Sequence, residues 1–400
     1  MTELPAILQV DSLLSGGGTD VQAILLAAGL RRLGCSVALA GPPAGSLAPE
    51  VEKRGIRLLP LPGDKARLVF ALASWIRRGG FSVVHAHHGR DYWPTILAAR
   101  LAGGRKIVVL LTRHMAKSPS SWLSRRFLLH ASDGVIAVSQ FVHRVLTEGV
   151  YEPEASDPER RTRPPVRGDF SKIHRIPPGI EVERFLPIEG TPERPSWGFR
   201  PDHRVFALVG GCSFPHGKGQ EAFLEAAAIV HGRLPQTRFL LLGSGTMERY
   251  LAEKVRALGL PGQALLLSRC DRMPEFLNSI DCLVRPGVGT EALGLVILEA
   301  LACGKPVIAG AIDGIPEAFV SNRAGKLLDC STPIALASAM EEIARRERPT
   351  LSERFALHSQ VAERFSSEIL AERTLALYRR LLAGMLPATI HREPEESQSY

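Results

Sequence analysis

The chain has 400 residues, 45% hydrophobic and 22% charged, which excludes a disordered or fibrous protein and fits two or three globular domains. Its net charge of +8 is placed unevenly: residues 1–180 carry 24 Lys and Arg against 14 Asp and Glu, a net +10, whereas residues 181–400 carry a net −2. No run of about 20 apolar residues lacks a charge or a breaker, which argues against a membrane-spanning helix, and the start, MTELPAILQV, is not a secretory signal.

Ile7–Val10 is a short apolar strand, followed by Ser15-Gly16-Gly17-Gly18, a helical run from Asp20 to Leu33, and a strand at Val37–Ala40. Strand, glycine loop, helix and strand make a βαβ unit and imply a parallel sheet. The three glycines let backbone amides approach a ligand. They lack the G-x-G-x-x-G spacing, so a plain turn and a phosphate site both stay open. Further strands are predicted at Ile56–Leu61, Phe81–His85 and Ile107–Thr112, with helices at Leu68–Arg78 and Pro94–Leu101. The second and third of these strands end in histidine-bearing loops, Ala86-His87-His88 and Arg113-His114. Both lie at C-terminal strand ends, where open α/β sheets place ligands. A lone histidine is more often a hydrogen-bonded structural residue; two converging loops favour a site. Ser121–His130 is a short helix with Trp122, Leu123 and Phe127 beside Arg125 and Arg126, which suits a membrane interface or a core helix with a solvated edge. Gly134–Ser139 is the last strand of this half. Residues 151–170, with four prolines and many charges, are read as a mobile loop without chemistry, and Ile173–Phe185 as a hinge.

The second half repeats the pattern. A strand at Phe206–Val209 runs into a glycine-rich loop, 210–219, that ends in Lys218-Gly219, a cation and accessible backbone suited to a phosphate. Helices at Gln220–Val230, near Leu258 and at Met273–Ser279 alternate with strands at Arg238–Leu242, Ala264–Leu267 and Cys282–Val284, and Gly243-Ser244-Gly245 follows the first of these strands. After the break at 285–289 comes TEALGLVILEALACGKPVIAGAIDGIPE. Gly294–Cys303 reads as a buried helix, closed by Gly304 with Pro306 beyond it. Its single charge, Glu299, needs hydrogen-bond donors, because an unpaired buried carboxylate costs several kcal/mol. If the helix reached back to Glu291, the two carboxylates would lie within about 80° of each other on its surface. Both suit sugar hydroxyls, and amides at a helix start suit a phosphate. A final amphipathic helix runs to Leu382, and the polar residues 387–400 are expected to be disordered. The six cysteines form no C-x-x-C and read as free thiols of a reducing cytosol.

The stretch from Glu291 through Glu299, Ala300, Ala302-Cys303-Gly304 and Pro306–Ala309 to Gly314–Glu317 closely resembles the nucleotide-binding signature of retaining glycosyltransferases of family four (group 1), which have the GT-B fold. The resemblance extends, more weakly, over the first half. It implies an α/β protein with two Rossmann-like βαβ domains facing a central cleft: residues 1–180 for the acceptor, 181–365 for the nucleotide-sugar, and a helix over 366–386 crossing back to the first domain. Catalysis would fall to His114, Glu291 and Lys218. The donor would meet Gly16, Gly17, Lys218, Gly243 and Gly245, and, around the signature helix, Glu291, Gly294, Leu295, Val296 and Glu299. Glu299 would hold the ribose and Glu291 the transferred sugar. His87, His88 and Arg113 are acceptor-side candidates. The family carries an Arg about five residues before Lys218, where this chain has Ser213 or a neighbour. The implied reaction needs no metal and no cofactor. A UDP- or GDP-linked sugar would pass, with retention, to a saccharide or lipid-linked glycan of cell-surface polysaccharide, lipopolysaccharide or glycolipid synthesis, in the cytoplasm or on the inner face of the cytoplasmic membrane. The basic first half fits an anionic membrane surface, although an Arg-rich compositional habit accounts for it equally. No nucleic-acid motif is present. An inactive sugar-nucleotide-binding subunit and a nonhydrolysing nucleotide-sugar 2-epimerase are the rival readings.

Overall fold

Short, nearly unbroken apolar strands are what a parallel sheet covered on both faces demands. In the computed structural model, which describes residues 4–155, 158–215, 217–329 and 332–385, they build two such sheets. The first half runs β1 (Ala6–Val10), α1 (Gly18–Arg32), β2 (Ser36–Gly41), α2 (Ala48–Lys53), β3 (Arg57–Pro60), α3 (Lys65–Gly79), β4 (Val83–Ala86), α4 (Tyr92–Gly103), β5 (Val108–Arg113), α5 (Trp122–Ala131), β6 (Gly134–Ala137) and α6 (Gln140–Thr147). A hairpin of β7 (Val150–Tyr151) and β8 (Thr162–Arg163) around α7 (Pro158–Arg161) precedes β9 (Ile173–Arg175). The second half runs β10 (Arg204–Val209), α8 (Gln220–Arg233), β11 (Thr237–Leu242), α9 (Glu248–Ala257), β12 (Ala264–Leu267), α10 (Met273–Ser279), β13 (Cys282–Arg285), α11 (Leu295–Ala302), β14 (Val307–Gly310) and β15 (Gly325–Leu328). Three helices close the chain, α12 (Pro333–Arg345), α13 (Leu351–Phe365) and α14 (Ser367–Met385). The tail at 387–400, His216 of the glycine-rich loop and Cys330 lie outside the described residues.

Strand order is β3-β2-β1-β4-β5-β6-β9 in the first sheet and β12-β11-β10-β13-β14-β15 in the second. All pairings within both sheets are parallel. Each order reverses once, between β1 and β4 and between β10 and β13. Loops that leave neighbouring strands at such a switch point diverge and open a crevice. The loops concerned carry Ser15–Gly18 and His87–Asp91 in one sheet, and Gly210–Gly219 and Pro286–Gly294 in the other.

Each sheet has apolar clusters on both faces. On one face of the first, Leu370, Ala371, Leu375 and Tyr378 of α14 pack with Ile24, Leu26 and Leu30 of α1. The last helix therefore completes the first domain. Chain crossings between the domains lie side by side: Ile180 N–H donates to Phe365 O (2.8 Å) and Ser367 N–H to Ile180 O (2.9 Å). Gln22 of α1 clamps the first crossing, its Nε2 donating to Gly179 O (2.7 Å) and its Oε1 accepting from Gly179 N–H (3.0 Å).

The expectation of a mobile loop over 151–170 is corrected. Its described residues up to Arg163 belong to the β7–β8 hairpin and α7, and Arg163 is 1% exposed. Arg160 and Arg163 pair with Glu152 and Asp313, while Pro153, Pro164, Pro165, Arg161 and Arg167 stay exposed.

Candidate active site in the interdomain cleft

The loops after β10 and β13 bring three charges together. Gln220 shapes the glycine-rich loop: its Oε1 accepts from the Lys218 amide (2.6 Å), and its Nε2 donates to the carbonyls of Gly210 and Gly211. Lys218 Nζ stands 3.7 Å from Glu291 Oε2. Arg285, the last residue of β13, donates to the same oxygen through Nη2. Burial pushes the Glu291 carboxyl up, but Arg285 and Lys218 outweigh it and hold it below the ordinary range. Burial lowers the Lys218 ammonium, with Glu291 opposing and Arg285 assisting. Arg285 is 4% exposed, and its Nε and Nη1 find no acceptor among the described residues. Each unfilled buried donor costs roughly 1–3 kcal/mol, so this guanidinium is built to receive acceptors from outside. The sequence pattern offers one cation here and Ser213 where the family has Arg; a different strand supplies the second. The signal was a lone Arg closing an otherwise apolar strand ahead of Pro286-Gly287.

Gly243 and Gly245 flank the same loop, and a backbone reason accounts for them. A Cβ on Gly243 would lie 2.2 Å from Gly210 O, and one on Gly245 2.4 Å from Cys212 O. Their amides are also taken, by Leu267 O (2.8 Å) and Glu248 Oε1 (2.9 Å). They let two loops touch rather than offering amides to a ligand.

Helix α11 starts at Leu295. Gly294 holds φ at +95°, the left-handed region that halts a helix. The expectation that Glu291 and Glu299 could share one helix is therefore corrected. Glu291 sits in the preceding loop, its N–H donating to Asp313 Oδ2 (3.1 Å) and its carbonyl accepting from Gly314 N–H (3.1 Å). The amides of Leu295 and Val296, at the positive end of α11, have no acceptor among the described residues. Glu299, one turn on, has no hydrogen-bond donor among them either, and burial pushes its carboxyl up to about 7 with only partial relief from Arg184. This half of the cleft thus offers two amides and two cations without acceptors enough, and one carboxylate without donors.

Across the cleft, the glycine loop after β1 is turned onto its own helix. Asp20 Oδ2 accepts from the amides of Ser15 (2.7 Å), Gly16 (2.9 Å) and Gly17 (3.1 Å). The expectation that Gly16 and Gly17 meet the donor phosphates through their amides is corrected accordingly. Gly18 is the residue that faces the second domain, where a Cβ would come within 3.2 Å of Leu295 Cδ1. His88 lies beneath this loop, 2.6 Å from Asp20 Oδ1 and 3.3 Å from Asp11 Oδ1. Burial opposes its charge, but the two carboxylates raise it to about 9. As an imidazolium it props the loop; Asp11, Asp20 and His88 are also the one group among the described residues with metal-ligand spacing.

His87 and His114 do converge, with Nδ1 and Nε2 3.2 Å apart. They end a buried relay. Gln9 Nε2 donates to Tyr378 Oη on α14 (3.2 Å), and Gln9 Oε1 accepts from His87 Nε2–H (2.7 Å). With the proton assigned to His87 Nε2 by this network, its Nδ1 accepts from His114 Nε2–H. His114 then presents a bare Nδ1. Burial holds His114 down at about 3, with the charges of His88 and Arg113 adding to it. It meets the cleft as a neutral hydrogen-bonding ring, not as a base poised near neutrality. Arg113 is diverted: its guanidinium donates to the carbonyls of Lys117 (2.9 and 2.5 Å) and Ser118 (2.9 Å), bracing the 114–118 turn instead of reaching an acceptor.

Buried and capping ties hold the halves together beside the cleft, in addition to the Arg54–Glu181 ion pair (2.7 Å) farther out. Asp313 Oδ1 pairs with Arg163 Nη1 (3.0 Å) across the cleft, and both side chains are buried. Asp313 has φ at +48°, a conformation Asp tolerates better than most residues. Glu317 receives the N–H groups of Gln140 (2.6 Å) and Phe141 (2.8 Å), capping α6 from the other domain. Between the halves lies a cavity of about 210 Å³ lined by Gly18 and His114 on one side and Glu291, Gly294 and Leu295 on the other.

Two Rossmann-like domains, a crossing C-terminal helix and a cleft between switch points define the GT-B architecture. Solved structures agree. A glycosyltransferase from Rickettsia africae superposes with a TM-score of 0.78 at 20% identity, covering 95% of this chain and 99% of that one. Anabaena HepE in complex with UDP and glucose gives 0.77 at 18% identity, covering 94% and 100%. The family model described as "Glycosyl transferases group 1" matches residues 191–358, and that described as "Glycosyltransferase Family 4" matches 16–154. The chain belongs to the group 1 glycosyltransferases of family four. Among curated relatives, the D-inositol 3-phosphate glycosyltransferase of Rhodococcus erythropolis is 27% identical over 403 residues, 91% of this chain and 86% of that one. The phosphatidyl-myo-inositol mannosyltransferase of Mycobacterium tuberculosis is 26% identical over 381 residues, 90% and 93% of the two chains.

Proposed function

We propose that this glycosyltransferase transfers a hexosyl group, with retention of anomeric configuration and without a metal, from a UDP- or GDP-linked donor to an inositol-bearing acceptor, free or lipid-linked, in glycolipid or cell-surface glycan synthesis. The observation that carries the proposal is the set of unfilled hydrogen-bonding groups on the second domain's side of the cleft. Lys218, Arg285 and the Leu295 and Val296 amides match a diphosphate; Glu299 matches ribose hydroxyls. Such donors, fixed before reaction, would stabilise the charge of the leaving diphosphate. Glu291, pinned by Asp313 and flanked by two cations, would orient the sugar between diphosphate and His114, whose bare Nδ1 would accept from a sugar hydroxyl. The donor's own phosphate oxygen, on the face where the bond breaks, would take the acceptor proton. The inositol acceptor rests on the two curated relatives and on the +10 charge of residues 1–180. The UDP alternative is supported by the UDP and UDP-glucose complexes of Anabaena HepE. The crossings at Gly179–Ile180 and Phe365–Ser367 would be the hinge between an acceptor domain, 1–180 with 366–386, and a donor domain, 181–365. Arg285 removes the reason for reading the chain as an inactive binder, since the diphosphate would not depend on Lys218 alone.

A thermal-shift screen of UDP-, GDP- and ADP-sugars identifies the donor, because a ligand that binds the folded state raises the melting temperature. Turnover of that donor with myo-inositol, inositol phosphate and phosphatidylinositol, followed by NMR of the product, tests the rest. A product with inverted configuration, or conversion of the donor sugar without any acceptor, would overturn the proposal.

A further inference from the structure

The second domain has another cavity, of about 390 Å³, at the far end of its sheet. It lies where β10, β13 and β14 begin, whereas the cleft lies where β10 and β13 end. Six basic side chains line it, Arg204, Lys305, Arg323, Arg346, Arg348 and Arg354, against two acidic ones, Asp281 and Glu347. Most of these cations are spoken for. Asp281 is shared between Arg194 (2.7 Å) and Arg348 (2.6 Å). Arg346 pairs with Glu342, and Arg204 donates to Arg346 O (2.7 Å). Arg354 spends its donors on Cys303 O, Ile188 O and Asn278.

Lys305 and Arg323 remain. Lys305 is only 9% exposed, yet its ammonium has no acceptor among the described residues, and neither has the exposed Arg323. A buried ammonium without a counter-ion is unfavourable by several kcal/mol. Its neighbours make matters worse: burial, then the Arg354 charge and that of Arg194, with Asp281 only partly opposing, pull Lys305 down to about 7. A residue serving packing alone would be apolar or would have a partner. What the cavity lacks is negative charge carried on several acceptor oxygens, which is the chemistry of a phosphoryl group. Its volume is that of a small-molecule pocket.

We propose that this cavity is a second anion site, distinct from the cleft, that binds a small phosphorylated molecule through Lys305 and Arg323. Helix α11 (Leu295–Ala302) puts about 12 Å of helical rise between its start at the cleft and the turn through Gly304 that carries Lys305. One diphosphate cannot serve both places. Helix α11 runs from the one site to the turn, Gly304–Pro306, that lines the other.

The test is calorimetric titration of the full chain with pyrophosphate. Because Lys218 and Arg285 in the cleft also attract pyrophosphate, the titration is run on the wild type, on Lys218→Gln, and on Lys305→Gln/Arg323→Gln in both backgrounds. Lys218→Gln is expected to retain a pyrophosphate site that the added double substitution weakens at least tenfold. The double substitution alone should leave nucleoside diphosphate binding unchanged. Loss of all pyrophosphate binding in Lys218→Gln, or a change under tenfold on adding the double substitution, would overturn the proposal. Citrate at matched ionic strength should bind more weakly than pyrophosphate; equal binding would overturn the phosphoryl assignment. If Lys305→Gln does not fold, Arg323→Gln alone carries the test in the Lys218→Gln background, with a threefold loss as the threshold.

Discussion

Replacing Arg285 by Met keeps an unbranched apolar stem and removes the guanidinium with its charge. Three consequences follow from its surroundings. Its Nη2 bond to Glu291 disappears, which leaves Glu291 with Lys218 at 3.7 Å as its remaining cation. The Glu291 carboxyl should rise, since Arg285 is the larger of the two charges holding it down. The two vacant donors, Nε and Nη1, are no longer available to a diphosphate. Bonds to charged groups contribute roughly 1.5–3 kcal/mol each, so two of them come to about 3 kcal/mol or more, on the order of a hundredfold in kcat/KM. The assay is a cycle of Arg285→Met, Lys218→Met and the double variant, read both as nucleoside diphosphate affinity and as kcat/KM. If both cations face one diphosphate, the double variant should lose less than the sum of the singles by at least about 1 kcal/mol. An Arg285→Met protein with wild-type melting behaviour and a nucleotide affinity within threefold of normal would refute the reasoning.

Further outcomes are expected. Glu299 has a folded-state value raised from 4.5 to about 7; the folded protein then binds its proton more tightly than the unfolded chain. The stabilisation is fully present below about 4.5 and is lost, to the extent of about 3 kcal/mol, as pH rises through about 7. Melting temperature without nucleotide should fall over that window, and Glu299→Gln should flatten the fall while weakening nucleotide binding. Asp313→Ala strands the buried Arg163 and releases the Glu291 backbone; a destabilisation of about 3 kcal/mol, moderated by the Glu152 pair of Arg163, should appear in denaturant titration together with a lower kcat. Tyr378→Phe removes the hydroxyl between Gln9 and His85 and leaves both underbonded, so stability should drop by about 2 kcal/mol with nucleotide affinity unchanged, as chemical denaturation and calorimetry would show. Trp122, 64% exposed beside Phe127 and Arg126, should contribute to salt-sensitive flotation with anionic but not neutral vesicles, and Trp122→Ser should reduce it.

The parts of this molecule legible in the sequence are those written locally. Gly304 and Pro306 punctuate α11, and the helix read at Gly294–Cys303 differs from the observed Leu295–Ala302 by one residue at each end. The strands and the two glycine-bearing turns were similarly visible, because apolar runs and breakers are properties of neighbouring residues. What escaped depends on partners far along the chain. Arg285 meets Lys218 across 67 positions, Arg163 meets Asp313 across 150, and His85 meets Tyr378 across 293. No periodicity encodes such pairs. The residues 151–170 mislead for the same reason: Arg163 looks solvated like its neighbours until the acid that neutralises it, Asp313, arrives from the other domain. A glycine loop announces free amides at Gly16 and Gly17 but not the nearby Asp20 that accepts from them. Among the described residues no helix is long and apolar enough to cross a membrane.

The packing of α14 against α1 bears on how the protein is made. About 190 residues of chain separate β9 from α14. At 5–20 residues per second, roughly 10–40 s pass between synthesis of the first sheet and synthesis of the helix that covers it. Throughout that interval Ile24, Leu26 and Leu30 lack their partners Leu370, Ala371 and Leu375, and Gln9 and His85 lack the Tyr378 hydroxyl. The nascent chain therefore exposes an apolar face and carries two uncapped polar groups until the second domain has emerged. The second domain, whose apolar clusters draw on residues from Ile180 to Phe365, holds all of its own parts first. The first sheet is synthesised before the second, yet the second is the one that can finish folding unaided, and a fragment ending at residue 180 should need α14 supplied in trans.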